Sequence, residues 1–250
     1  MVRRQSRISF DTLLKTLEQG AHNAVMVAVA CAAAGIIVGM VNLTGTGLRF
    51  SSLIVSLSQG IPLLALLLVA LTSLLLGMGL PVTASYIVLI ILAGPGLMDL
   101  GIPLLTAHMI VFWYSQDANV TPPVALESFA ASGIAGSSPM KTAFTSWKLA
   151  KGLYIIPIIM AYHPLLLNGT FAQVFLTIVL STFAIIAFVV CLERYFLTAL
   201  NWPETILQGA AAIMLIWAGR TVNYIGIGLF LTLVILQIIK RKKKTAPTRN

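Results

Sequence analysis

The sequence predicts an all-α integral membrane protein with about six transmembrane helices plus one re-entrant helical hairpin. Three observations carry that prediction. The composition is 58% hydrophobic and only 9% charged, against roughly 25% charged in soluble domains. The apolar residues fall in runs of about 20, the length that crosses roughly 30 Å of hydrocarbon at 1.5 Å per residue. Lys and Arg lie between and beyond those runs, as in loops that fix membrane orientation.

Residues 1–21 form a polar segment carrying Arg3, Arg4 and Arg7. The small residues from Ala28 to Ala34 imitate a signal-cleavage region, but hydrophobicity continues to Val41, so 22–41 is predicted to be a retained span. Residues 48–59 have the pattern of an amphipathic surface helix. Two apolar arms fill 61–98, joined at Gly77-Met78-Gly79-Leu80-Pro81, a stretch that cannot continue one helix. They are expected to enter the bilayer and return to the same side. The remaining crossings are expected at 105–135, with a polar break, and at 152–168, 171–192, 204–219 and 221–239.

Positive charge supports this order. With the N-terminus inside, the chain returns to the cytoplasm before Lys141, Lys148 and Lys151, and turns outside through His163–Thr170, which lacks Lys and Arg. It comes back at Glu193 and Arg194, leaves again towards Arg220, and ends inside at Lys240, Arg241, Lys242, Lys243 and Lys244. Counting 61–98 as a full crossing would put that last cluster outside. The expected organisation is a cytoplasmic segment 1–21, a core 22–168 holding the hairpin (61–98) and a discontinuous helix (105–135), C-terminal transmembrane helices 169–239, and a basic cytoplasmic tail 240–250. Both termini are placed in the cytoplasm. The net charge of +9 forms no interleaved basic and aromatic surface, so nucleic acid is not an expected partner. Cys31 and Cys191 sit inside apolar runs without motif spacing and read as packing residues.

The chemistry concentrates in Tyr114-Ser115-Gln116-Asp117-Ala118-Asn119-Val120-Thr121-Pro122-Pro123. Pro122 and Pro123 lack amide protons, so the carbonyls of Ala118 and Asn119 lose their helical partners. In hydrocarbon each such group costs several kcal/mol. A cation held by those carbonyls with Asp117 and Asn119 oxygens is a natural replacement, and sodium, or a proton on Asp117, serves. A proline kink supported by neighbouring helices is the structural alternative. The predicted ion-binding residues are Gly77, Asp117, Ala118, Asn119, Thr121 and Pro122. At the hairpin tip, a helix beginning at Val82-Thr83-Ala84 points free amides at the midplane and suits a carboxylate. The predicted substrate-binding residues there are Gly77, Gly79, Pro81, Val82, Thr83 and Ala84, with packing an equal reading for Thr83 and Ser85. His22, His108 and His163 share no ligand spacing and read as interfacial, and Glu127 ranks below Asp117. No nucleophile and base pair, metal box or phosphate loop is visible, so the chain is not expected to be an enzyme.

Gly77-Met78-Gly79-Leu80-Pro81-Val82-Thr83-Ala84-Ser85-Tyr86, Thr121-Pro122-Pro123-Val124-Ala125-Leu126 and Ala131-Ser132-Gly133-Ile134-Ala135-Gly136 resemble the DctM-like large permease subunit of TRAP transporters. The likeness is to the fused type that works with TAXI-class periplasmic binding proteins, and it covers most of 22–168. It implies an elevator-type, sodium-coupled or proton-coupled importer of organic acids, such as dicarboxylates or glutamate-like compounds, in the cell inner membrane. The resemblance implies no cofactor beyond a coupling Na+ ion. Implied partners are a TAXI-type solute-binding protein, the organic acid, membrane lipid and the rest of the permease. Such permeases contain two inverted repeats, and only one hairpin with one broken helix is legible here. The chain is therefore expected to be a C-terminal half, truncated or split, that needs an N-terminal half or a small membrane subunit. The competing expectations are a non-transporting membrane anchor for a partner chain and an intramembrane enzyme using Asp117.

Overall fold

The computed structural model of the chain describes residues 9–78, 80–166, 169–217 and 219–245. Among them the regular elements are helices: α1 (Phe10–Thr44), α2 (Thr46–Leu57), α3 (Pro62–Leu76), α4 (Val82–Asp99), α5 (Leu104–Val120), α6 (Leu126–Ala135), α7 (Pro139–Leu149), a 3₁₀ turn (Ala150–Tyr154), α8 (Ile156–Tyr162), α9 (Phe171–Glu193), α10 (Trp202–Ile216) and α11 (Arg220–Thr245).

Helix α1 starts where the Ser9 hydroxyl accepts from the Thr12 amide, and ends at Gly45, whose φ of +67° suits a residue without a Cβ. That glycine turns the chain through 78° into α2. It lies across α4, where small residues let the backbones approach. A Cβ on Gly96 would stand 3.0 Å from the Ser51 carbonyl oxygen. Pro95 sits inside α4 and leaves the Ile91 carbonyl without its helical donor. One residue further on, the buried Ser51 hydroxyl donates to the Leu92 carbonyl at 2.6 Å.

Helices α3 and α4 meet in a hairpin with Gly77 and Pro81 at the turn, and α4 is by itself long and apolar enough to cross a membrane. The hairpin arms, with α5 and α8, enclose the main apolar core, which includes Leu66, Val69, Leu89, Leu97, Ile110 and Tyr114.

Among the described residues three helices, α4, α9 and α11, are long and apolar enough to cross a membrane, and the end of α1 with α2 makes a fourth candidate when that bent pair is counted as one span. The other expected crossings consist of shorter pieces. Residues 152–168 depart most from expectation. They give the end of a 3₁₀ turn and then the seven-residue α8, and the chain leaves helical geometry at His163. Seven residues rise only about 10 Å. Gly152, Pro157 and Pro164 explain the interruption, since the prolines supply no amide and glycine weakly holds a helix.

Helices α9, α10 and α11 form a second unit around Leu180, Ala184, Ala211, Leu215 and Phe230. Two ion pairs gather charges at one end: Lys151 with Glu193, and Lys240 with Glu204. Beside them Gln237 Oε1 accepts from the Thr198 amide and hydroxyl at 3.0 and 2.7 Å. At the opposite end of α10, His163 Nε2 contacts the Ile216 carbonyl oxygen at 2.7 Å.

Candidate functional site

The hairpin turn and the helix break meet. Gly77 caps α3 and packs against Ala118 in α5 so closely that a Cβ on it would stand 2.7 Å from the Ala118 Cβ. The same added atom would lie 2.8 Å from the Ser73 carbonyl oxygen and 3.3 Å from the Ser85 hydroxyl. Glycine is required here by space, since Cβ atoms essentially never come within 3.0 Å of such neighbours. One tight contact thus joins both arms of the hairpin to the stretch that carries Asp117.

Helix α5 ends at Thr121 because Pro122 and Pro123 cannot donate to its last turn. Extended geometry at Thr121 and a left-handed Ala125 (φ +40°) then restart the chain as α6. A left-handed alanine costs about 1–2 kcal/mol, so the surrounding packing holds the break open. The Thr121 hydroxyl and the Tyr154 hydroxyl are 2.6 Å apart, which ties the end of α5 to the 3₁₀ turn. On the other side of the hairpin, α4 begins after Pro81 with its first internal bond from Ser85 N to Pro81 O. The amides of Val82, Thr83 and Ala84 therefore have no partner within the helix.

Several polar residues near this junction are buried. Asp117 is 4% exposed, and Ser73 and Ser85 are fully buried. Asp117 Oδ1 and the hydroxyl oxygens of Ser73, Ser85 and Ser128 make no hydrogen bond to any described residue. A buried hydroxyl without a partner costs about 1–3 kcal/mol, and a carboxylate more. Of these, the Ser85 hydroxyl lies at the Gly77–Ala118 contact and Asp117 is the neighbour of Ala118 in α5; carboxylate, hydroxyl and carbonyl oxygens are the donors a hard monovalent cation takes.

The expected ion-site residues Gly77, Asp117, Ala118, Asn119, Thr121 and Pro122 thus occupy one contact and the helix end beside it. Asn119 is buried, Thr121 is engaged by Tyr154, and Pro122 is half-buried. The expected substrate residues are more scattered. Gly77 is buried, Pro81 and Val82 are half-buried, and Thr83 is exposed. Ala84 packs with Ala34, Val88 and Leu92, turned towards α1. Gly79 lies outside the described residues. Glu127 is exposed at the start of α6, and His108 Nδ1 is 2.7 Å from the Tyr86 hydroxyl. Ser73, Ser128 and Tyr154 were not legible as site residues. A serine in an apolar run reads equally as packing, and Tyr154 reaches the break only through the tertiary fold. The signal available for Ser73 was its place one turn before Gly77.

The described residues thus form helices, three of them long and apolar enough to cross a membrane, with a hairpin turn at Gly77 packed against the helix that breaks at Pro122 and Pro123. In the family comparison, the model described as Tripartite ATP-independent periplasmic transporter, DctM component, matches residues 1–166. That is well over half of the chain, which therefore belongs to this family of transporter permease components and is a multi-pass membrane protein. No curated protein and no solved structure matches the chain.

Proposed function

We propose that this chain supplies the hairpin and broken-helix part of an ion-coupled permease that imports organic carboxylates delivered by a periplasmic solute-binding protein. The single observation that carries this reading is the Gly77–Ala118 contact, which sets the hairpin turn, with the Ser85 hydroxyl beside it, against the helix that carries the unpartnered Asp117. The coupling ion is sodium in this reading. A proton needs only the Asp117 carboxylate, whereas hydroxyls and free helix carbonyls add the ligands sodium takes. The carboxylate of the substrate is received by the free amides at the start of α4, where the helix dipole favours negative charge. The lysine-rich end of the fold, holding Lys151 and Lys240, faces the cytoplasm of an inner membrane. TAXI-type binding proteins and dicarboxylate or glutamate-like substrates fit this reading, with a second repeat on a companion chain moving with the first as an elevator.

Gradient-driven uptake of labelled succinate and glutamate tests it, in proteoliposomes holding the chain with its companion permease part and binding protein. A sodium gradient should drive uptake, and Asp117→Asn should lower it about tenfold or more, as loss of one charged ligand does; Pro122→Ala should lower it too, by returning a helical donor to the Ala118 carbonyl. Uptake that ignores both substitutions fits a chain that only anchors its partner and sinks the proposal.

A further inference from the structure

A groove of about 400 Å³ opens between α7, the 3₁₀ turn and the end of α9, lined by Trp147, Lys148, Lys151, Tyr154, Phe188 and Leu192. Its make-up is two-sided. Phe188 and Leu192 give an apolar wall, and Leu192 and Trp147 stay 47% and 46% exposed, large apolar surface left uncovered by the fold. Phe144 packs edge-on against Trp147 at 6.3 Å and extends the aromatic rim. At that rim stand Lys148 and Lys151, with Glu193 pairing Lys151. Two lysines against one carboxylate leave a single net positive charge.

We propose that this groove is the seat of an anionic glycerophospholipid. One acyl chain lies along Phe188 and Leu192, the glycerol region meets the Trp147 and Tyr154 rings as interfacial aromatics do, and the phosphodiester rests on Lys148 and Lys151. Charge complementarity selects this occupant: the surplus is one positive charge, which a phosphatidylglycerol headgroup matches and a zwitterionic phosphatidylcholine does not. The seat also touches the transport machinery. Tyr154 lines the groove with its ring, while its hydroxyl contacts Thr121 at the end of α5. A lipid that fixes the Tyr154 ring therefore steadies the break at Pro122 and Pro123. Lipid binding itself requires only membrane residence, so its failure leaves the carboxylate-transport reading standing, and the reverse also holds.

Native mass spectrometry of the purified full chain, titrated with phosphatidylglycerol or phosphatidylcholine of identical acyl chains, tests the seat. The parent should retain phosphatidylglycerol at about fivefold lower concentration, the preference one uncompensated lysine gives. Lys148→Gln, at an exposed position, should bring the two lipids to parity, while the remote Lys15→Gln should not. Fluorescence quenching by a phosphatidylglycerol brominated on its acyl chains adds a second measure: the quenched signal should fall on Trp147→Phe. Equal retention of both lipids by the parent overturns the proposal, as does an unchanged preference in Lys148→Gln. So does displacement of the lipid by millimolar glycerol 1-phosphate, which would make the site one for a soluble phosphate. Quenching that survives Trp147→Phe unchanged overturns it too.

Discussion

Asp117 stands out in the sequence because a carboxylate in an apolar stretch is costly, and the structure buries it to 4% exposure with one oxygen unpartnered. What the sequence could not convey is that Gly77, some forty positions earlier, touches the neighbouring Ala118. Proximity of that kind arises only when α3, α4 and α5 pack together. Gly77→Ala should lower thermal stability by about 1–3 kcal/mol, the cost of an overpacked site. Adding Ala118→Gly removes one of the two clashing neighbours, so a double-mutant cycle by thermal melting should show a coupling of about 0.5 kcal/mol or more. Tyr154→Phe removes the partner of the Thr121 hydroxyl and should cost about 1 kcal/mol. Hydrogen exchange should localise the loosening to residues near 119–125.

Among the elements, the break between α3 and α4 was legible because glycine and proline interrupt two apolar arms, whereas α2 does not sort its polar residues to one face: Ser51 is buried against α4 while Leu48, Leu53 and Leu57 stay exposed. The failure at 152–168 has an equally local cause. Hydropathy alone runs through Gly152, Pro157 and Pro164, whereas backbone geometry does not, and α8 lasts only from Ile156 to Tyr162. In the second unit, Gln208 is fully buried in α10, and its amide makes no hydrogen bond to a described residue. Replacing it with leucine of similar size should raise stability by about 1–3 kcal/mol, because an unpaired buried amide gives way to apolar packing. Gln237→Leu is predicted to do the opposite: it strands the amide and hydroxyl of Thr198. Limited proteolysis should then cut faster within residues 194–201.

Across the whole molecule, Lys151 pairs with Glu193 and Lys240 with Glu204, whereas the length of each crossing depended on breaks that hydropathy blurs. The junction between the hairpin and the broken helix gives this scaffold its proposed purpose. Single cysteines at Lys148 and at Gly169, in a chain with Cys31 and Cys191 replaced by alanine, should react from opposite sides with a membrane-impermeant maleimide: position 169 in intact spheroplasts, position 148 only after lysis.

Sodium held by oxygens near the hairpin turn and the helix break should be visible by calorimetry. Sodium chloride titrated into the purified chain, with choline chloride as the matched control, should give saturable heat in the parent and none in Asp117→Asn. A parent without saturable sodium heat, or a variant that binds sodium as the parent does, rules out sodium at Asp117.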